Sequence, residues 1–433
     1  MGLEIAVRIC YIHVLMAHFE ITGGRPLSGT IAISGAKNAA LKFLAASLMM
    51  DGPVTLTNVP RIEDVRRMVE ILKGLGATVT EPDPHQYIID PRTVSTDVLD
   101  EVLAPKIRVS TLLVASLLVT RGKATLPFPG GCAIGRRPID LFLAGYKAFG
   151  AIIEEGEKEI RFSAKKLTPI RFVFPIISHT VTEALMIMGS RVLGETVLEN
   201  CAMEPEVVAL ADFLNSCGAK ISGAGTPTIR IQGVERLSGG SAEIIPDRIE
   251  AGCFLALAAA TKSQITITGT RPEHLSVPLE YLQRLGVPLE INGGDITVKP
   301  WQTLKAQPLM THEYPGFPTD IQPPFTVLLT QATGTSMVHE TIFEGRLYFT
   351  DKLNKMGAEV VLCDPHRVIV QGPTPLRGTT LESPDIRAGL ALVVAALAAT
   401  GTSKIENIYQ IDRGYEAIEE RLRALGADIK RVA

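Results

Sequence analysis

The sequence predicts a two-domain α/β protein made of six copies of one helix–strand unit, three to a domain, and three observations carry that reading. A chain of 433 residues exceeds what one hydrophobic core usually supports. A glycine followed by a small residue closes a helix-like, charged segment at six places: Leu75-Gly76-Ala77, Phe149-Gly150-Ala151, Cys217-Gly218-Ala219, Leu285-Gly286-Val287, Met356-Gly357-Ala358 and Leu425-Gly426-Ala427. These glycines recur at spacings of 68 to 74 residues, the mark of a repeat architecture. A short β-like run follows them, as in Thr78-Val79-Thr80, Lys220-Ile221-Ser222 and Glu359-Val360-Val361, so α and β patterns alternate along the chain.

The parts of one copy follow in order. A polar turn opens an apolar helix of small residues, expected over 39–50, 251–261 and 388–400; its lack of charge means burial on all sides. A strand comes next, such as Val54-Thr55-Leu56, Thr196-Val197-Leu198 or Ile265-Thr266-Ile267. The second helix, over 63–75 or 415–425, alternates apolar and charged positions at i, i+3 and i+4 and should be half buried. It stops at the glycine, which takes a left-handed C-cap without Cβ strain. Pro246-Asp247 opens the fourth copy and is the expected crossover. One extended strand over 19–34 precedes the first copy and is expected to close the other domain. The expected organisation is an extension over 1–17, a lobe over 37–246, and a discontinuous lobe of 18–36 plus 247–433. Two lobes with two crossings imply a hinge and a cleft.

Bulk properties exclude several classes. Apolar residues at 46% and charged residues at 21% argue against wholesale disorder. A formal charge of −3 leaves no footprint for nucleic acid, so any basic site is local. The cysteines at 10, 132, 201, 217, 253 and 363 form no C-x-x-C pair and no zinc-ligand spacing. Free thiols in a reducing cytoplasm, with no metal, are the expectation. Apart from Cys132, they lie in helical or strand contexts and read as core. Residues 3–17 are apolar but too short to span a bilayer, and they lack the basic region of an export signal. They carry few positive charges for a membrane-surface anchor. Met16, just before the globular pattern, is expected to be the initiator.

Functional groups crowd the turns that open the first helices: Gly35-Ala36-Lys37-Asn38, Pro105-Lys106-Ile107-Arg108, Ile177-Ser178-His179-Thr180, Pro246-Asp247-Arg248, Pro318-Thr319-Asp320 and Pro384-Asp385-Ile386-Arg387. Helix N-termini offer unpaired N–H groups and a positive dipole end, which favour an anion. Lys37 and Arg108 add full charges for a phosphate or carboxylate. For any one Asp or Ser here, simple helix capping competes with a functional role. For His179, a structural hydrogen bond is as good a reading as a ligand contact. Gly130-Gly131-Cys132-Ala133-Ile134-Gly135-Arg136-Arg137-Pro138 reads as a mobile loop whose Cys132 sits beside two arginines. Neighbouring positive charge lowers a thiol pKa, so Cys132 is a candidate proton donor or nucleophile. Tyr409-Gln410-Ile411-Asp412-Arg413-Gly414-Tyr415 is the matching turn near the C-terminus.

At these turns the sequence resembles the enolpyruvyl transferases, and within them the UDP-N-acetylglucosamine 1-carboxyvinyltransferases that commit UDP-N-acetylglucosamine to peptidoglycan synthesis. The resemblance rests on SGAKNAAL at 34–41, GGCAIGRRPIDL at 130–141, ENCAMEPEV at 199–207, PDRIE at 246–250, FPTDIQ at 317–322, ETIFEGR at 340–346 and IDRGY at 411–415. It implies two inside-out α/β barrels of three units each, and the substrates phosphoenolpyruvate and UDP-N-acetylglucosamine without a cofactor. It implies phosphoenolpyruvate contacts for Lys37, Arg137 and Arg413, with Arg108 beside them. Asn38, Asp320 and Glu344 match contacts to the amino sugar, and Asp140 and Leu141 match contacts to uridine. Arg108, Ser178, His179 and Thr180 fall where the acceptor is held. Cys132 matches the loop cysteine alkylated by fosfomycin, and Asp385 a carboxylate near it; Asp247 and Arg248 match the crossing. The resemblance makes Asp320 the candidate base for the sugar hydroxyl and Cys132 the candidate acid.

Two positions depart from the commonest family pattern: Ile176 stands where a Lys helps hold the diphosphate, and Phe142 where a His is frequent. They bear on nucleotide affinity more than on the chemical step. The rival readings are an enolpyruvyl transferase with another acceptor (a nucleoside phosphate or shikimate 3-phosphate) and a silent UDP-sugar sensor. Retention of Lys37, Cys132, Asp320 and Arg413 speaks against the sensor. A monomer in the cytoplasm, away from membrane and nucleic acid, is the expectation.

Overall fold

The computed structural model describes residues 17–128, 130, 134–135 and 139–433, which form two compact units. One comprises 34–128, 130 and 139–245; the other comprises 17–33, 134–135 and 246–433. The chain passes between them at Ile33/Ser34 and Ile245/Pro246, slightly ahead of the expected 36/37 and 246/247. Ile134 and Gly135 group with the discontinuous unit rather than with the lobe whose sequence surrounds them: Gly345 N–H donates to Ile134 O at 3.0 Å.

Each copy is a β-α-β-α-β-β unit whose sheet keeps one order. In the 34–245 unit, Arg171–Val173 runs parallel to Gly194–Glu199, which pairs antiparallel with Thr228–Gly233, which pairs with Lys220–Ser222. Gly240–Glu243, Val54–Thr57, Tyr87–Asp90 and Thr78–Thr80 repeat that order, so the last strand of the unit closes onto its first. The middle copy has three strands, Lys123–Pro127, Glu159–Ser163 and Ile152–Glu155; its parallel partner shrinks to a bridge between Val98 and Thr125.

The discontinuous unit repeats the order with Leu309–Met310, Gly334–His339, Arg367–Gly372 and Glu359–Asp364. Its other two sheets borrow from the N-terminus, and here the single strand expected over 19–34 is wrong. His18–Thr22 lies between Thr402–Glu406 and Asp428–Val432, whereas Ser28–Ala32 runs parallel to Gln264–Thr268 in another sheet, completed by Asp295–Val298 and Leu289–Asn292. Gly23-Gly24-Arg25-Pro26 breaks the run, with Gly24 at φ +79° and a proline that has no N–H for a ladder. Arg421 pins the second strand: it holds Glu250 through Nη1 at 2.6 Å and donates from Nη2 to Ala32 O at 2.6 Å.

The first helices fill the interior. Arg248–Ala260 and Gln322–Leu329 are buried along their whole length, Ile386–Ala398 from Arg387 to Leu397, and the three pack on one another. In the other unit Lys37–Ser47 packs on Leu112–Arg121, which packs on His179–Arg191. Sheets wrap outside with alternating buried and exposed residues, so each unit is an inside-out α/β barrel. These helices start two or three residues earlier than the apolar pattern suggests. Lys37, Asn38, Arg248 and Arg387 therefore sit inside the first turn.

All six repeat glycines have φ between +94° and +104°. In every copy the next residue donates back five positions, as Ala77 N to Leu72 O and Ala427 N to Leu422 O at 3.0 and 3.1 Å. That is the Schellman closure, and it is why a glycine recurs there. A second repeated device escaped the sequence reading. Asn58, Asn200 and Asn407 adopt φ of +54° to +59° just past a strand, and their side-chain amides donate to Ile244 O, Phe174 O and Ser383 O.

Two expectations fail locally. The last helix is Ile418–Ala424, not 415–425: left-handed Ala417 (φ +40°) separates it from the short helix Tyr409–Asp412. Cys363 is exposed on a strand, while Cys201, Cys217 and Cys253 are buried as expected; Cys10 and Met16 lie outside the described residues.

Candidate functional site

In the discontinuous unit the three aspartates at helix-opening turns part company. Asp247 accepts from Ile249 N and Glu250 N at 2.8 and 3.0 Å, and Asp385 from Arg387 N and Ala388 N at 2.9 and 3.1 Å. Both are N-caps. Asp320 lies inside the 3-10 turn Thr319–Ile321, whose N-cap position is Pro318. Its Oδ2 accepts from Arg387 Nε and Nη2 at 3.0 and 2.8 Å, and its Oδ1 from Arg346 Nη2 at 3.0 Å. Asp320 therefore joins two buried guanidinium groups while its own side chain stays about one quarter exposed (24%). A carboxylate held between two guanidinium groups is fixed in one orientation by charge-assisted hydrogen bonds.

The cluster continues inward. Arg387 Nη1 donates to Tyr415 Oη at 3.1 Å, and Tyr415 Oη lies 3.4 Å from Cys253 Sγ. Burial works against the Arg387 charge, but Asp320 above all raises its pKa well beyond the usual range. Burial also pushes the Cys253 thiol up to about 12, so it is a neutral packing group. Arg346 lies 5.2 Å from the centre of the Phe343 ring, and its Nε has no hydrogen-bond partner among the described residues. Arg346, Arg387 and Tyr415 stand in stretches quoted from the sequence, but nothing there distinguishes them from packing residues; only the fold brings them to Asp320. Glu344 is exposed, four residues after a buried Glu340 whose carboxylate accepts from Ile342 N, Phe343 N and Thr319 Oγ1. Arg413 is half-buried and donates to Gln410 Oε1 at 3.1 Å.

In the 34–245 unit, Lys37 opens its helix and is buried with Nζ 2.7 Å from Asp64 Oδ2, a partner the sequence gave no sign of. Ala36 N–H donates to Ile245 O at 2.7 Å, fixing the start of that helix. Asn38 follows, half-buried. Arg108 begins a 3-10 turn, Arg108–Thr111, that leads into Leu112–Arg121. Asp140 and Leu141 open Asp140–Ala148, with Asp140 exposed in the first turn and Phe142 buried behind it. Ser178 is the N-cap residue of His179–Arg191 but makes no cap bond with its side chain, and His179 and Thr180 follow half-buried. Ile176 just ahead is 67% exposed, high for an isoleucine. Cys132 and Arg137 lie outside the described residues.

Comparison with known proteins agrees over the full length. The family described as EPSP synthase (3-phosphoshikimate 1-carboxyvinyltransferase) matches residues 21–422. The UDP-N-acetylglucosamine 1-carboxyvinyltransferase of Desulforapulum autotrophicum is 43% identical over 417 residues, covering 96% of this chain and 100% of the relative. The UDP-N-acetylglucosamine 1-carboxyvinyltransferase 3 of Caldanaerobacter subterraneus is 44% identical over 419 residues, again 96% and 100%. Among solved structures, the enolpyruvyl transferase NikO from Streptomyces tendae matches with TM-score 0.89 at 26% identity, covering 96% of this chain and 99% of its own. EPSP synthase from Acinetobacter baumannii, at 19% identity and TM-score 0.72 over 96% and 100%, shares the fold. From one end of its six-unit fold to the other, this chain belongs to the EPSP synthase family of enolpyruvyl transferases, among the members named UDP-N-acetylglucosamine 1-carboxyvinyltransferase.

Proposed function

We propose that the chain moves the enolpyruvyl group of phosphoenolpyruvate onto the 3-hydroxyl of UDP-N-acetylglucosamine and releases phosphate, opening peptidoglycan synthesis. The observation that carries this reading is Asp320, whose carboxylate bridges the buried guanidinium groups of Arg346 and Arg387. Such a carboxylate suits taking a proton from an acceptor hydroxyl, and the guanidiniums hold it in one orientation.

The reaction is an addition followed by an elimination. The acceptor oxygen bonds to C2 of the enol ester as its proton passes to Asp320, and C3 takes a proton from Cys132. The resulting tetrahedral ketal then returns a C3 proton to the Cys132 thiolate, the C2–O bond to phosphate breaks, and the double bond re-forms as phosphate leaves. Substrate phosphate and carboxylate need cations in a site shielded from water, the role assigned to Lys37, Arg108, Arg137 and Arg413. Asn38 and Glu344 are assigned to the amino sugar, Asp140 and Leu141 to uridine, and Ser178, His179 and Thr180 to the nucleotide end of the acceptor. Asp385, busy as a cap, would act by holding the turn that carries Arg387. Among the described residues no helix is long and apolar enough to cross a membrane. The enzyme is assigned to the cytoplasm.

Phosphate release from phosphoenolpyruvate, measured with UDP-N-acetylglucosamine, UMP and shikimate 3-phosphate in turn, tests the assignment. Turnover with the first alone is expected. Turnover with UMP or shikimate 3-phosphate instead identifies a different acceptor, and none with any identifies a non-catalytic binder.

A further inference from the structure

Glu340 is fully buried at the end of the strand Gly334–His339, and no Lys, Arg or His side chain is salt-bridged to it among the described residues. A bare carboxylate in a protein interior is costly unless its oxygens are well hydrogen-bonded. Both are. Oε1 accepts from Ile342 N at 2.9 Å and Phe343 N at 3.2 Å, folding 340–343 into a tight turn. Oε2 accepts from Thr319 Oγ1 at 2.9 Å. Its backbone is anchored too: Glu340 N–H donates to His366 O at 2.8 Å, and His366 Nδ1 meets Glu340 O at 2.6 Å.

The partners are what make this more than a buried staple. Thr319 precedes Asp320, and Ile342 and Phe343 lead directly into Glu344 and Arg346. Arg346 closes the circle by donating to Asp320 Oδ1 at 3.0 Å. One side chain thus fixes, from below, the spacing between the turn that holds the candidate base and the segment that holds its guanidinium partner. We propose that Glu340 is a positioning residue for the transfer reaction, locking the Asp320 turn and the Glu344–Arg346 segment into a single geometry. This rests on the roles proposed for Asp320 and Glu344.

The test uses the full chain and three variants, with two readouts: steady-state kinetics on phosphoenolpyruvate and UDP-N-acetylglucosamine, and amide hydrogen exchange over 341–346 without substrate. T319V removes one bond and is nearly isosteric, so it should fold; it is expected to lower kcat about tenfold, the worth of one well-placed hydrogen bond, with KM for phosphoenolpyruvate within about twofold. E340L should lower kcat by about a hundredfold or more and speed exchange at Ile342 and Phe343. E340Q should recover most of kcat, because its amide oxygen can still accept both N–H groups and its NH2 can donate to the Thr319 hydroxyl. A purely structural role would lower the melting temperature and leave kcat per folded molecule unchanged. Unchanged exchange in E340L, or unchanged kcat in T319V, overturns the proposal. If E340L does not fold, T319V and E340Q decide. No turnover by the wild-type chain overturns the functional reading instead, and the exchange arm, which needs no substrate, still decides whether Glu340 sets the segment.

Discussion

Replacing Asp320 with Asn tests at once the structural and chemical parts of the cluster. Asn keeps the shape but presents one acceptor oxygen and one NH2 where the carboxylate presents two acceptors. If the oxygen faces Arg387, its two bonds, now 3.0 and 2.8 Å, persist as weaker bonds to a neutral acceptor, while Arg346 Nη2 meets a donor at 3.0 Å. The opposite rotamer strands Arg387. Losing one charge-assisted bond costs about 2 kcal/mol and weakening two more costs about 1 kcal/mol each. Breaking a buried ion pair costs about 3–5 kcal/mol, which gives the same upper range. Because the Asp320 side chain is 24% exposed, water recovers part of this, and about 2–3 kcal/mol of lost stability is expected. Urea unfolding followed by circular dichroism reads that difference. Phosphate release from the fraction still folded should fall by about 10²–10⁴, the usual worth of a general base. Turnover within tenfold of wild type, or a stability loss below about 0.5 kcal/mol, refutes the reasoning.

Other expectations follow from separate parts of the fold. Gly426→Ala should cost about 1–2 kcal/mol from left-handed strain alone, since no atom lies within 4 Å of the added Cβ. Gly76→Ala should cost clearly more, because its Cβ would meet Ser95 N and Thr93 O at 2.9 Å; equal urea midpoints for the two variants would contradict this. Glu183, fully buried 3.2 Å from Lys42, is pushed up to about 8 by burial despite that lysine, against 4.5 in the unfolded chain. The folded state then holds the extra proton between 4.5 and 8, so this group's stabilisation is complete below 4.5 and lost as pH rises through 8. Thermal melts from pH 5 to 8.5 should show wild type losing stability relative to Glu183→Gln as pH rises, and parallel curves would rule the shift out. Cys132→Asp should keep measurable turnover and escape inactivation by fosfomycin; an inactivated variant would place the reactive thiol elsewhere.

The division between what was legible and what was not runs along the range of the interactions. Glycine at a left-handed C-cap is a local necessity of the backbone, so six glycines near φ +94° to +104° could be counted in the linear chain, and the repeat and fold class with them. Small-residue apolar runs likewise announced helices buried on every side. The same turns supplied Lys37, Asp320 and Arg413 as candidates, because side-chain chemistry is written residue by residue. Partnership is not. Asp247, Asp320 and Asp385 look alike in sequence, yet two spend their carboxylates on N–H groups within three residues, and the third reaches Arg346 and Arg387, 26 and 67 positions away. The tie from Asp64 to Lys37, the Glu340 staple and the splitting of 18–32 between two sheets are equally non-local. Sequence by itself determined the repeat, the caps and the chemical inventory, since each depends on a residue and its immediate neighbours. Only the tertiary structure decided which carboxylate is bound to two guanidiniums, because that depends on which distant helices the packing of the core brings side by side.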